Sequence, residues 1–295
     1  MADVNGDNLE DVVVSINDSY QYKLTYINDR GNKQWVLDNN YTIPIFFNEG
    51  GTDKAVRIFD ANGDGISDLV QSSPAGGSSI EEGVYLNKAD GTGWGAKEAT
   101  YAPIPVYFVN GYDIRKPAGI YTLDVNGDGL IDLMQSTVNG STIDKKLFIN
   151  KGDGTGWVQN NNYIIPVYFY ESGNRYYRGV RITDVNADGL PDMIQSNLGP
   201  TFNDVYINQG NDTGWVKDPN YVIPLPFMQG DEEEGVRVFD ANGDGVDDLV
   251  QSLNEGAVST QGIYINDAKT SNLLTSIQTT GGSTINVTYK PTTTY

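Results

Sequence analysis

Asp124-Val125-Asn126-Gly127-Asp128-Gly129-Leu130-Ile131-Asp132 carries an oxygen-bearing side chain at its first, third, fifth and ninth residues and a glycine at its sixth. A hard cation such as Ca²⁺ takes six to eight oxygens at about 2.3–2.6 Å. A turn of this pattern offers side-chain oxygens from positions 1, 3, 5 and 9 and the backbone carbonyl of position 7. The candidate ligands are therefore Asp124, Asn126, Asp128, Leu130 (through its carbonyl) and Asp132. Gly129 serves the sharp bend, because a positive φ costs little only for glycine.

The same string recurs along the chain. It gives Asp60, Asn62, Asp64, Ile66 and Asp68; then Asp184, Asn186, Asp188, Leu190 and Asp192; then Asp240, Asn242, Asp244, Val246 and Asp248. A looser copy opens the sequence with Asp3, Asn5, Asp7, Leu9 and Asp11, where Asn8 replaces the glycine. Asparagine tolerates the left-handed backbone next best. Up to five Ca²⁺ ions are expected. An EF-hand needs a bidentate Glu at position 12 and flanking helices. Position 12 here is Val14, Gln71, Gln135, Gln195 or Gln251, and flanks such as Val56-Arg57-Ile58-Phe59 are short and β-prone. These read as structural calcium loops between strands, not as switches.

The first Asp of each loop falls at 3, 60, 124, 184 and 240, a period of about 60 residues that fills the chain. Each period repeats one order: a strand, the acidic loop, an apolar strand such as Asp132-Leu133-Met134-Gln135-Ser136, a third strand such as Val205-Tyr206-Ile207-Asn208, and a turn ending in Trp. A Tyr-x-Ile-Pro stretch follows (41–47, 101–108, 163–169, 221–227) and is expected as the fourth strand, with Pro44, Pro105, Pro166 and Pro224 on an outer edge. Four short strands per repeat, without helical periodicity, predict an all-β propeller of four-stranded blades. The WD40 and kelch patterns do not match. The expectation is one domain over 1–295, with repeats at about 3–59, 60–123, 124–183, 184–239 and 240–295. Residues 267–295 lack the Trp turn and the Tyr-x-Ile-Pro stretch, and form either a divergent tail or a segment, around 284–290, that closes the ring with the first repeat.

Composition excludes several chemistries. The chain has no Cys and no His, hence no disulfide, no thiolate or imidazole metal site and no Ser-His-Asp triad. A formal net charge of −20 argues against nucleic acid and anionic membrane as partners. No apolar run reaches the ~18 residues of a membrane span, and Met1-Ala2-Asp3-Val4 shows no leader.

The loop string between two strands, at this spacing, resembles the FG-GAP/VCBS repeat of integrin-α-type propellers. The added Gly-Trp, Tyr-x-Ile-Pro and Gly-Val-Arg-x-x-Asp elements resemble VCBS repeats of bacterial Rhs/YD-repeat and toxin-complex B-type (SpvB-like) proteins. The tail from Asn272 to Pro291 is similar to the segment where such proteins pass into their shell. The resemblance implies the calcium ligands already named and a non-catalytic docking module for a protein partner. It also implies a secreted or cell-surface setting, where calcium is abundant enough for loops that bind at about 10⁻⁴–10⁻³ M. An alternative is a lectin that uses Trp35, Trp94, Trp157 and Trp215 as platforms for a glycan; the competing reading packs these rings between blades. A polysaccharide-active enzyme is a further alternative, without a carboxylate pair to argue for it. Arg57, Arg181 and Arg237, each three residues before a loop, are expected to pair with carboxylates.

Overall fold

In the computed structural model the described residues are all except 75–80, 111, 112, 118, 172–175, 199, 200, 231, 256, 257, 269–275, 279–283 and 287–295. The four later acidic loops each close an antiparallel hairpin, and the residue before the loop pairs with its ninth: Phe59 with Asp68, Leu123 with Asp132, Thr183 with Asp192, Phe239 with Asp248. In the opening copy an isolated bridge between Ala2 and Asp11 does the same. β-Branched and aromatic residues on both sides favour extended chain, and the Asp, Asn and Gly residues between them turn it back.

The fold is an all-β, five-bladed β-propeller, with no helix among the described residues. The second blade shows the plan: Val56–Phe59, Asp68–Ser73, Glu81–Asn87 and Trp94–Glu98, each hydrogen-bonded to the next. The third blade repeats it with Ile120–Leu123, Asp132–Asn139, Thr142–Asn150 and Trp157–Gln159, and the fourth with Val180–Thr183, Asp192–Leu198, Thr201–Asn208 and Trp215–Lys217. In the first, Val12–Asn17, Gln21–Asp29 and Gln34–Asp38 follow the loop. The fifth shows three strands among the described residues, Val236–Phe239, Asp248–Glu255 and Val258–Tyr264.

The fourth strand is therefore the one that begins at the tryptophan, and the Tyr-x-Ile-Pro stretch, expected in that role, is a connector. Its proline lacks the N–H a ladder requires. Among the described residues it makes isolated bridges at Thr42 and Ile164 and no continuous ladder, and its closing Phe47, Phe108 and Phe227 donate their N–H groups to the carbonyls of Ser15, Ser72 and Ser196. The connector still alternates: Tyr163, Ile165, Val167 and Phe169 are buried, and Ile164 between them is exposed. A period of two thus marks extended chain packed on one side, whether or not a continuous ladder runs beside it.

The chain divides into two compact units, one of Met1–Thr137 with Ile143–Asn161 and one of Val138–Thr142 with Asn162–Tyr295. In the first unit one core gathers Val70, Val84, Ile104, Val106, Phe108 and Leu133, and a second gathers Val4, Tyr41, Ile43, Leu69 and Trp94. The second unit's core holds Val185, Ile194, Val205, Ile223, Phe227 and Val236. In the tail, Ser276–Gln278 pairs antiparallel with Thr284–Asn286 as a two-stranded ribbon. Leu273, Leu274 and Thr275, and residues 287–290 of the expected closing strand, lie outside the described residues.

Candidate metal loops and tryptophan seats

Each acidic loop is wound around its own first side chain. Asp60 Oδ1 accepts the N–H groups of Asn62, Gly63 and Asp64 at 3.2, 2.7 and 3.3 Å, and Oδ2 accepts that of Gly65 at 2.7 Å. Asn62 Oδ1 takes the Asp64 N–H at 2.9 Å, and Asp64 Oδ1 takes the Ile66 N–H at 2.9 Å. The loop at Asp124 repeats the pattern with Gly127, Asp128 and Gly129 on Asp124, and Leu130 on Asp128. Those at Asp3, Asp184 and Asp240 follow suit. The sixth residue has φ of +85° at Gly65, +86° at Gly129 and +62° at Asn8, as expected. The fourth residue is also left-handed, at +81° for Gly63 and +58° for Ala187, which the ligand pattern gives no reason to anticipate.

The ninth carboxylate is held by two backbone N–H groups. Asp11, Asp68, Asp132, Asp192 and Asp248 are fully buried. In each, Oδ2 accepts the N–H of the loop's second residue at 3.0–3.1 Å. Oδ1 accepts the N–H of an asparagine at or near the end of the third strand, Asn28, Asn87, Asn150, Asn208 or Asn266, at 2.7–2.8 Å. Burial pushes the carboxyls of Asp68, Asp132 and Asp192 up to about 7, against the pull of these two bonds.

Oxygen-only chemistry at positions 1, 3, 5 and 7 suits Ca²⁺. Among the described residues no three acidic, His or Cys side chains stand together as a ready metal site. The ninth carboxylate reaches an ion only through the lone pairs its backbone bonds leave. Bound calcium would supply charge neutralisation to Asp60 and Asp64 and their counterparts; the hydrogen bonds above set the loop's course.

The tryptophans occupy a repeated seat. The indole N–H of Trp94 donates to the carbonyl of Ser67 at 2.9 Å, that of Trp157 to Ile131 at 2.9 Å and that of Trp215 to Pro191 at 2.8 Å, in each case the eighth residue of the blade's own loop. The rings meet Tyr41, Tyr101 and Tyr163 of the preceding connector at centroid distances of 6.1, 5.9 and 5.6 Å, steeply inclined. Trp94 and Trp215 are buried and Trp157 is half-buried. The Gly before Trp94 and before Trp215 allows a close backbone approach: a Cβ on Gly93 (φ +87°) would stand 2.5 Å from the backbone N and O of Thr42, whereas one on Gly156, before Trp157, would come no nearer than 3.4 Å to Tyr101 O. A Cβ on Gly214 (φ +92°) would stand 2.5 Å from the Ile164 carbonyl. Trp94 N–H then reaches Thr42 O at 3.0 Å while Thr42 N–H reaches Thr92 O at 2.9 Å. Trp35 has the same register, opposite Asn28, yet is 55% exposed.

Two further side chains lock neighbouring blades through the carbonyl of the loop's second residue. Asn87 Nδ2 donates to Val4 O, Asn150 Nδ2 to Ala61 O and Asn266 Nδ2 to Val185 O, each at 2.9 Å. The hydroxyls of Tyr41, Tyr101 and Tyr221 donate to the same three carbonyls at 3.1, 3.4 and 3.3 Å. In the sequence these asparagines look like ordinary strand ends; their recurrence 16 to 19 residues after the ninth Asp of every repeat is the signal that marks them.

The arginines divide. Arg181 forks onto both oxygens of Glu233 at 3.0 Å and Arg237 reaches Glu233 Oε2 at 3.3 Å. Arg57 departs from the expected ion pair: it donates to the carbonyls of Val56 and Phe108 and lies over the Phe108 ring at 5.5 Å.

No family model matches the chain, and no curated protein matches it. Among solved structures it is similar to a lectin from Agrocybe aegerita, described as specifically recognising non-reducing terminal N-acetylglucosamine. The likeness has 18% identity and a TM-score of 0.58, over 91% of this chain and 63% of the lectin chain. It is also similar to a chain of the Photorhabdus luminescens Tc holotoxin pore, at 20% identity and a TM-score of 0.57, over 93% of this chain and 11% of that one. At these identities the shared property is the propeller fold. The chain spans less than two thirds of either.

Proposed function

We propose that the chain is a non-catalytic, calcium-stabilised binding propeller of a secreted or surface-delivered protein, docking to a protein partner within an assembly of the Rhs/toxin-complex kind. The observation that carries this reading is the fate of the tryptophans. Trp94, Trp157 and Trp215 spend their faces on connector tyrosines and their N–H groups on loop carbonyls. A sugar platform needs an open ring face, so the repeated-site lectin loses three of its four residues. The Tc holotoxin likeness supports the docking reading at the level of fold.

The second reading, a glycan-binding lectin, keeps one specific residue, the exposed Trp35, and the likeness to the Agrocybe aegerita lectin supports it. Two experiments separate them. Co-expression with the chains encoded beside its gene, followed by size-exclusion chromatography, is expected to give a co-eluting complex. A glycan array including N-acetylglucosamine-terminated glycans is expected to be silent. Sugar binding lost in Trp35→Ala, with no co-elution, would replace docking by the lectin.

A further inference from the structure

The fifth blade has the receiving half of a tryptophan seat and lacks the tryptophan. Tyr221 is the counterpart of Tyr41, Tyr101 and Tyr163, and its hydroxyl is anchored on Val185 O as those of Tyr41 and Tyr101 are on Val4 O and Ala61 O. Beside it lies a cavity of ≈ 410 Å³ lined by Val185, Tyr221, Val222, Ile223, Tyr264 and Ile265, among others. That volume falls in the range of about 300–1,000 Å³ of ligand-holding pockets.

Three features show what fits there. First, Val222 stands where Thr42 and Ile164 stand, whose N–H and C=O hold the Gly-Trp backbone of the next blade. Val222 is 78% exposed, and its N–H and C=O have no protein partner among the described residues. Second, Val258–Tyr264 is the last strand of its sheet among the described residues, whereas Glu81–Asn87, Thr142–Asn150 and Thr201–Asn208 each pair with a Trp-led strand. An open edge of this kind accepts an added strand through main-chain hydrogen bonds. Third, Asp247 and Asp267 flank the groove, while two of the chain's own Trp-led strands carry a lysine two or three residues after the tryptophan, Lys217 and Lys97. The groove repeats the seam that Gly-Trp strands fill between the other blades.

We propose that this groove is a docking seat for an extended segment of a protein partner that carries Gly-Trp followed by a lysine, added as the missing fourth strand of the fifth blade. The inference rests on the docking reading and gives it a place. The incoming indole would lie on Tyr221 and donate to the Asp247 carbonyl, the counterpart of the Ser67, Ile131 and Pro191 carbonyls.

The test uses the full chain and a fluorescein-labelled peptide copying residues 211–218, Asn-Asp-Thr-Gly-Trp-Val-Lys-Asp, read by fluorescence anisotropy. Saturable binding is expected, weakened at least about tenfold when the peptide's Trp is replaced by Ala. The variant Val222→Pro removes the bridging N–H at an exposed position and should weaken binding of the Trp peptide to a similar degree while leaving the melting temperature unchanged. Equal binding of the two peptides, indifference to Val222→Pro, or no binding at millimolar peptide overturns the seat. So does N-acetylglucosamine displacing the peptide, which would make the groove a sugar site. Failure here with co-elution of a partner intact removes this seat alone; loss of co-elution removes docking itself.

Discussion

Asn150 of the third blade donates its side-chain amide to the carbonyl of Ala61, the second residue of the second blade's acidic loop, across 2.9 Å. The same carbonyl accepts the Tyr101 hydroxyl at 3.4 Å. One backbone oxygen therefore joins a loop, the connector that leaves its blade and the end of a strand in the next. The loop's course, fixed by Asp60, thus becomes a blade-to-blade distance.

Asn150→Ala removes this staple from a buried position and leaves the Ala61 carbonyl with the longer tyrosine bond. The expected cost is about 1–3 kcal/mol, the range for stripping a buried acceptor of its partner. Urea unfolding with an unchanged m-value is the measurement.

Two glycines with nearly the same φ should respond differently to alanine. At Gly129, φ +86°, an added Cβ would meet nothing within 4 Å, so Gly129→Ala carries only the conformational cost, roughly 1–2 kcal/mol. Gly93 at +87° adds a 2.5 Å collision with Thr42 backbone. Gly93→Ala is expected to lower the unfolding midpoint well beyond Gly129→Ala; equal midpoints would contradict the seat geometry.

The tryptophans should sort by seat and not by repeat position. Trp94→Ala empties a buried seat and is expected to cost about 3–5 kcal/mol. Trp35→Ala, at the equivalent register but open to solvent, should stay within about 0.5 kcal/mol. Differential scanning calorimetry of the two variants side by side decides it.

Calcium and the ninth aspartate make separable predictions. Adding Ca²⁺ should raise the melting temperature and chelator should lower it, with Asp128→Ala removing one bound equivalent in isothermal titration. Asp68→Asn swaps one acceptor oxygen for a donor facing the N–H of Ala61 or Asn87. It should destabilise by about 1–3 kcal/mol even in chelator. If Asp68→Asn matters only when calcium is present, the carboxylate acts as a ligand first and as a backbone cap second.

Much of this architecture lies open in the sequence because it is set by short spacings. The acidic strings fix where the chain bends, since an Asx turn is made by an Asp and the N–H groups two to five residues on. Their period fixes the number of blades, and period-2 burial marks extended chain. The same local logic misassigned the fourth strand, because Tyr-x-Ile-Pro and Trp-led segments are both extended, and only a neighbour's backbone tells a ladder from a connector.

What tertiary structure alone decided is where the repeated polar and aromatic side chains find their partners. Trp94 and Ser67, Tyr41 and Val4, Asn150 and Ala61 are joined through main-chain carbonyls, and a carbonyl leaves no signature in the residue that owns it. The sequence by itself determined an all-β propeller with five acidic loops. Folding decided that Trp94, Trp157 and Trp215 hold blades together while Trp35 faces solvent, that the ninth aspartates bond the backbone, and that the seat beside Tyr221 holds no tryptophan.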